Sequence, residues 1–147
     1  MGVALPLHVL SAVIWVGGMF FALIAMRPAA AGLDDPSRAR VWATALGLFF
    51  RWVWLAVALL LVTGLWMTFG VLGGLRAAGP HVHAMLAIGV VMMLMAAHVY
   101  FAPLRRLRAG EDAARSLAQI RLFMAVNLAL GLLVIAIASG GRYWFHR

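Results

Sequence analysis

The sequence predicts an all-α integral membrane protein, an antiparallel bundle of four transmembrane helices, and three observations lead there. Four apolar stretches of about 20 residues are each long enough to cross a hydrocarbon core about 30 Å thick. Hydrophobic residues make up 66% of the 147 and charged residues 11%, with a mean hydropathy of +1.03, well beyond what a soluble domain of this length carries. All 12 basic residues are arginine, and they lie at the ends of the apolar stretches. In that placement the formal charge of +8 reads as anchoring at the membrane surface and argues against a nucleic-acid partner. The absence of cysteine rules out disulfides, covalent haem attachment and thiolate metal sites. No repeat or second domain breaks the chain, so residues 1–147 read as one domain.

The first span covers about residues 4–26 and contains no formal charge. It is longer than a signal-peptide core and lacks a basic leader, so it is read as retained; Arg27 and Pro28 are expected to end it. Asp34-Asp35-Pro36 is a helix-start signal, a capping acid followed by proline in the first turn. The helix that follows would run to about Leu72, some 37 residues or roughly 55 Å, nearly twice the bilayer core. The second span is therefore placed at 52–72. Residues 37–50, with Arg38 and Arg40, form a cytoplasmic or interfacial helical extension before it. Trp42, Trp52 and Trp54 are expected to form an aromatic belt. The short, glycine-rich loop from Gly73 to Pro80 predicts that the second and third spans are antiparallel neighbours. The third span covers about 81–101, closed by Pro103 and the arginines 105, 106 and 108. The fourth covers about 120–139, stopped by Gly140-Gly141-Arg142.

Orientation follows from the arginines, because cytoplasmic loops retain positive charge. Nine of them fall on one side, and only Arg76, Arg142 and Arg147 on the other. Both termini are then expected outside, in a multi-pass protein of the bacterial inner (cytoplasmic) membrane.

His8 is the ionisable residue inside the first span, and such a residue is by default a functional candidate. On a helical wheel it shares a face with Ser11, Ala12, Trp15, Gly18, Met19 and Ala22, small and polarisable groups that leave room for a helix or a flat cofactor. In the predicted topology His83 reaches similar depth on the third span. Two imidazoles from facing helices can hold haem b noncovalently. That assigns His8 and His83 as axial ligands, Trp15 and Asn127 as neighbours of the macrocycle, and Arg76 and Arg142 as partners of its propionates. His81 and His146 lie at the same surface. His98, roughly 22 Å below His83, belongs to a different level, and it and His81 rank lower as metal ligands. Nine methionines support copper as the alternative, since thioether and imidazole suit Cu(I). Met85 and Met67 lie nearest the outer histidines, whereas Met92, Met93 and Met95 cannot all face one ion. Asn127, at mid-membrane, is expected chiefly to hydrogen-bond a neighbouring helix. No catalytic triad, phosphate loop or carboxylate pair is present.

The stretch Leu7-His8-Val9-Leu10-Ser11-Ala12-Val13-Ile14-Trp15-Val16-Gly17-Gly18 resembles the first helix of the bacterial CopD-like membrane proteins. The resemblance continues through Phe50-Arg51-Trp52, Thr63-Gly64, His83-Ala84-Met85-Leu86, Tyr100-Phe101-Ala102-Pro103, Arg121, Asn127-Leu128 and Gly131. A more distant resemblance links the chain to the HemJ-type protoporphyrinogen oxidases, which would make His8 an axial haem ligand. That family carries a histidine and, two residues later, a lysine at the start of the third helix; here these positions are His81 and His83. Its Asn-Glu-Val-Pro-Thr-like segment is replaced by Asn127-Leu128-Ala129-Leu130. Both departures separate the chain from porphyrinogen oxidation, and neither touches haem binding.

The reading these residues support first is a b-type haem protein of the lipid bilayer, in electron transfer or as an oxidoreductase acting on quinol, porphyrinogen or an oxygen species. Its partner would be the quinone pool or a periplasmic redox protein. The alternatives are a CopD-type copper transport or copper-handling protein and a cofactor-free assembly subunit. The pattern is compatible with an oligomer.

Overall fold

A computed structural model describes residues 2–144, with side chains through residue 140. It is all-helical, without strands among the described residues. Four helical segments are long and apolar enough to cross a membrane, Ala4–Gly32, Asp35–Val71, Pro80–Arg108 and Ala113–Gly140. The chain is thus a multi-pass membrane protein whose outer faces meet lipid.

Helix α1 (Ala4–Phe21) does not end at Pro28. It widens into a π turn, Ala22–Met26, and continues through Arg27–Ala29 to a 3₁₀ turn at Ala30–Gly32. Proline removes a backbone donor, and its ring crowds the carbonyl four residues earlier. The wider turn, in which the Arg27 N–H reaches back to the Ala22 carbonyl, absorbs that conflict without breaking the rod.

Asp34 then caps α2 (Asp35–Trp66), its Oδ2 accepting from the Ser37 N–H at 3.2 Å. Hydrogen bonds from Ser37 hold the Asp34 carboxyl below the ordinary carboxylate range. A depressed folded-state value means that the cap contributes fully above that range and is lost as pH falls through it. Helix α2 is one unbroken rod. The expected extension, residues 37–50, is simply its first half, and Trp42, Leu46, Phe50, Val53 and Val57 bury one face of it at helical spacing. Trp42 is consequently a core residue at 1% exposure, where a belt residue was expected. Trp52, 58% exposed, faces outward. Trp54 joins a ring cluster with Phe50, Tyr100 and Phe101.

The loop after α2 turns at Gly73 and Gly74, with φ of +78° and +101°, values that side chains disfavour. Helix α3 (Pro80–Phe101) starts from the extended Gly79 with Pro80 in its first turn. A sharp bend at Ala102 leads to the short α4 (Pro103–Arg108). Helix α5 (Ala113–Trp144) begins earlier than hydropathy suggests because Asp112 caps it, Oδ1 accepting from the Arg115 N–H at 3.3 Å. It also runs past Gly140-Gly141; glycine is tolerated in membrane helices.

Helix α1 packs chiefly along α2, and α3 chiefly along α5, while α1 also touches α5. The second and third spans are therefore not neighbours along their lengths. They meet through rings near the arginine-rich end, where Tyr100 lies 5.3 Å from Phe50 and 5.6 Å from Trp54. Helix α4 tucks Leu104 and Leu107 into the core there, beside α2 and α5. Arg106 Nη2 donates to Gln119 Oε1 at 2.7 Å, tying α4 to α5.

Candidate functional site

The polar groups buried within the spans are few, and each needs a partner because no water competes in hydrocarbon. His8 finds one across the α1–α2 seam, its Nδ1 lying 2.8 Å from Thr63 Oγ1. Thr63 is buried, and its hydroxyl donates to the Leu59 carbonyl at 2.5 Å. A hydroxyl has a single proton to give. With that proton committed to the backbone, Thr63 can only accept from His8, so Nδ1 carries the hydrogen and Nε2 keeps the lone pair. In the unprotonated ring this arrangement leaves Nε2 as the nitrogen that could ligate a metal, with Thr63 as the outer partner. Gly64 makes the seat: a methyl at that position would lie 3.3 Å from His8 Cε1, so only a bare backbone lets the ring settle this closely.

Below His8 the same face of α1 continues through the buried Ser11, Trp15 and Met19. Ser11 Oγ is satisfied by the Leu7 carbonyl at 2.7 Å. Met19, Met92 and Met124 come from three different helices and belong to one buried cluster, together with Trp15.

His83 is exposed at the start of α3, its Nδ1 3.2 Å from the Gly79 carbonyl. His81, half-buried on the same turn, lies under Gly79, where a methyl would approach its Cε1 at 2.8 Å. His98 is exposed, with its ring 4.8 Å from that of Phe123. Arg76 is exposed on the loop between the second and third spans. The side chain of Arg142, and His146 altogether, lie outside the described residues. His8 and His83 thus have different hydrogen-bond partners on different helices. Among the described residues no group of three or more His, Cys, Asp or Glu converges on one point.

Asn127, 4% exposed, donates from Nδ2 to the Met92 carbonyl at 3.3 Å, as expected of a helix-to-helix bond, while its Oδ1 is buried without a partner. Such bonds are worth on average about 0.6 kcal/mol in membranes. Asn127→Ala should accordingly cost well under 1 kcal/mol, read by unfolding in mixed micelles. A loss several times larger would mean that Oδ1 holds something more.

Thr63 is the site residue that sequence reasoning missed. The signal was available, since a lone hydroxyl between Leu59 and Trp66 in an apolar run asks for a partner, and His8 is the polar residue at matching depth on α1.

No curated protein and no solved structure matches the chain. A family described as copper resistance protein D matches residues 43–140, about two thirds of the sequence, including α3 and α4 whole and most of α2 and α5. The chain belongs to this CopD family of copper-resistance membrane proteins.

Proposed function

We propose that the protein handles copper in the membrane as Cu(I), with His8 Nε2 as the ligand that receives the ion and buried thioethers as the soft groups that follow. The observation that carries this reading is the Thr63–His8 pair, which leaves a neutral imidazole with its lone pair on Nε2 at one end of the apolar bundle. Family membership supplies the metal. Met19, Met92 and Met124, buried in the core on three different helices, are thioethers whose softness suits Cu(I) over hard cations. With no cluster of harder ligands among the described residues, the ion is better read as passing cargo than as a resident centre. His83 and His81, on the turn that opens α3, are the next imidazoles in line.

This reading takes the place of the haem reading. The family's description points to copper, where the haem reading needed His8 and His83 to share one iron. The test is Cu(I) flux, kept reduced with ascorbate, into vesicles carrying the purified protein and an entrapped Cu(I) indicator. Protein-bearing vesicles should fill several-fold faster than empty ones, with no matching effect on Zn(II). Equal rates would sink the transport reading, and a bis-imidazole Soret band on adding haemin would restore the earlier one.

A further inference from the structure

A groove of about 920 Å³ opens beside α2 at the arginine-rich end, toward the upper end of the roughly 300–1,000 Å³ typical of small-molecule sites. Arg40, Thr44, Gly47 and Arg51 form one stripe along its wall, at the spacing of a single helix face. Arg108 arrives from α4. Its guanidinium lies 5.7 Å from the centre of the Tyr100 ring and covers Gly47 so closely that a methyl there would sit 2.5 Å from its Nη2. Gly47 is one turn from Arg51 on the same face, and the exposed Arg51 and Arg108 both line this groove. Among the groove's lining residues the only acid is Asp35, at the far end of the stripe and ion-paired with Arg38.

Depth sharpens the conflict. His8 meets Thr63 and Gly18 meets Phe49, so Arg51 lies level with the turn around Gly18. That is roughly 13 Å nearer the membrane centre than Arg27, at 1.5 Å per helical residue. A cation at this depth is costly unless it reaches an anion, and no carboxylate among the described residues pairs with it.

We propose that this groove holds the phosphodiester of an anionic phospholipid, gripped between Arg51 and Arg108 with Arg40 at the aqueous rim. Guanidinium groups suit the task, because each can give a phosphate two parallel hydrogen bonds. The exposed Leu48 and the rings of Trp54 and Tyr100 flank the groove, giving an acyl chain an apolar path toward the bilayer. A second groove, lined by Arg27, Arg38 and Arg121, is a weaker candidate. There Arg38 is paired with Asp35, and Arg121 Nε donates to the Leu117 carbonyl at 3.2 Å.

The test is native mass spectrometry of the full-length, delipidated protein titrated with dioleoyl phosphatidylglycerol, dioleoyl phosphatidylcholine or inorganic phosphate. One phosphatidylglycerol should be retained saturably, at least tenfold more tightly than phosphatidylcholine. Arg51→Gln and Arg108→Gln should each weaken retention about tenfold. Arg105→Gln, exposed on α4 and outside the groove, should not. Circular dichroism of each variant separates lost binding from lost fold. Equal retention of both lipids would overturn the proposal. So would equal losses in Arg105→Gln and Arg51→Gln, which would indicate diffuse charge, or displacement of the lipid by inorganic phosphate at matching concentration, which would indicate a free-anion site.

Discussion

His8→Ala should lower Cu(I) affinity by about 100-fold or more, and Thr63→Val, which never touches the ion, should lower it about 10- to 100-fold. The second figure is the usual loss when the outer partner of a metal-binding histidine is removed. Valine nearly preserves the shape of threonine while deleting the acceptor for the His8 Nδ1 hydrogen. The imidazole then loses the bond that fixes its tautomer and its aim. Thr63→Ser keeps the oxygen and should restore most of the affinity. Competition with a chromophoric Cu(I) chelator measures all three. Should Thr63→Val bind like the parent while His8→Ala does not, the hydroxyl is packing alone. Should His8→Ala bind like the parent, the ion enters elsewhere and the proposed function fails with it.

The largest effect on stability is expected at Gly18. A methyl there would lie 2.1 Å from Cε2 of Phe49, well inside any van der Waals contact, so the Phe49 ring fills the space that a side chain on Gly18 would occupy. Small residues at such crossings are how membrane helices gain packing when lipid competes for every apolar surface. Gly18→Leu should cost about 3 kcal/mol, the upper part of the range for overpacking, and should also move His8 away from Thr63. Gly17, whose added methyl would meet nothing within 4 Å, is the matched control, and Gly17→Leu should be close to neutral. The double variant Gly18→Leu/Phe49→Ala should recover much of the loss. Yield of monodisperse protein and its thermal midpoint report all of these. A stable Gly18→Leu single variant would show that the seam opens easily.

Length and hydropathy made the four spans readable, because a bilayer imposes a nearly fixed count of apolar residues. What they could not convey was which apolar residues face protein. Trp42 and Trp52 look alike in the sequence, yet one is 1% exposed and the other 58%; Trp42 lies on the face of α2 that carries Leu46, Phe50 and Val53 into the core, and Trp52 does not. Pro28 read as a stop and became a widened turn, since the i→i−5 bond from Arg27 kept the rod intact. Gly140 read as a stop and did not act as one. At the site, His8 was legible from the cost of an imidazole in an apolar helix. Thr63 was legible as a hydroxyl in need of a partner, but that the partner is His8 depends on the register of α1 against α2, which is a tertiary fact. The pairing of His8 with His83 rested on depth alone.

The packing of α1 along α2 and of α3 along α5 bears on how the chain comes to be assembled. Each half is a helical hairpin that buries its own seam as soon as its second helix is made. The amino-terminal half emerges first during synthesis. The His8 seat lies wholly within that first hairpin, so it is complete before the second has left the ribosome. Thr63→Val and Gly18→Leu therefore act within the first hairpin, whereas changes in α5 act on the seam of the second and on its docking against α1.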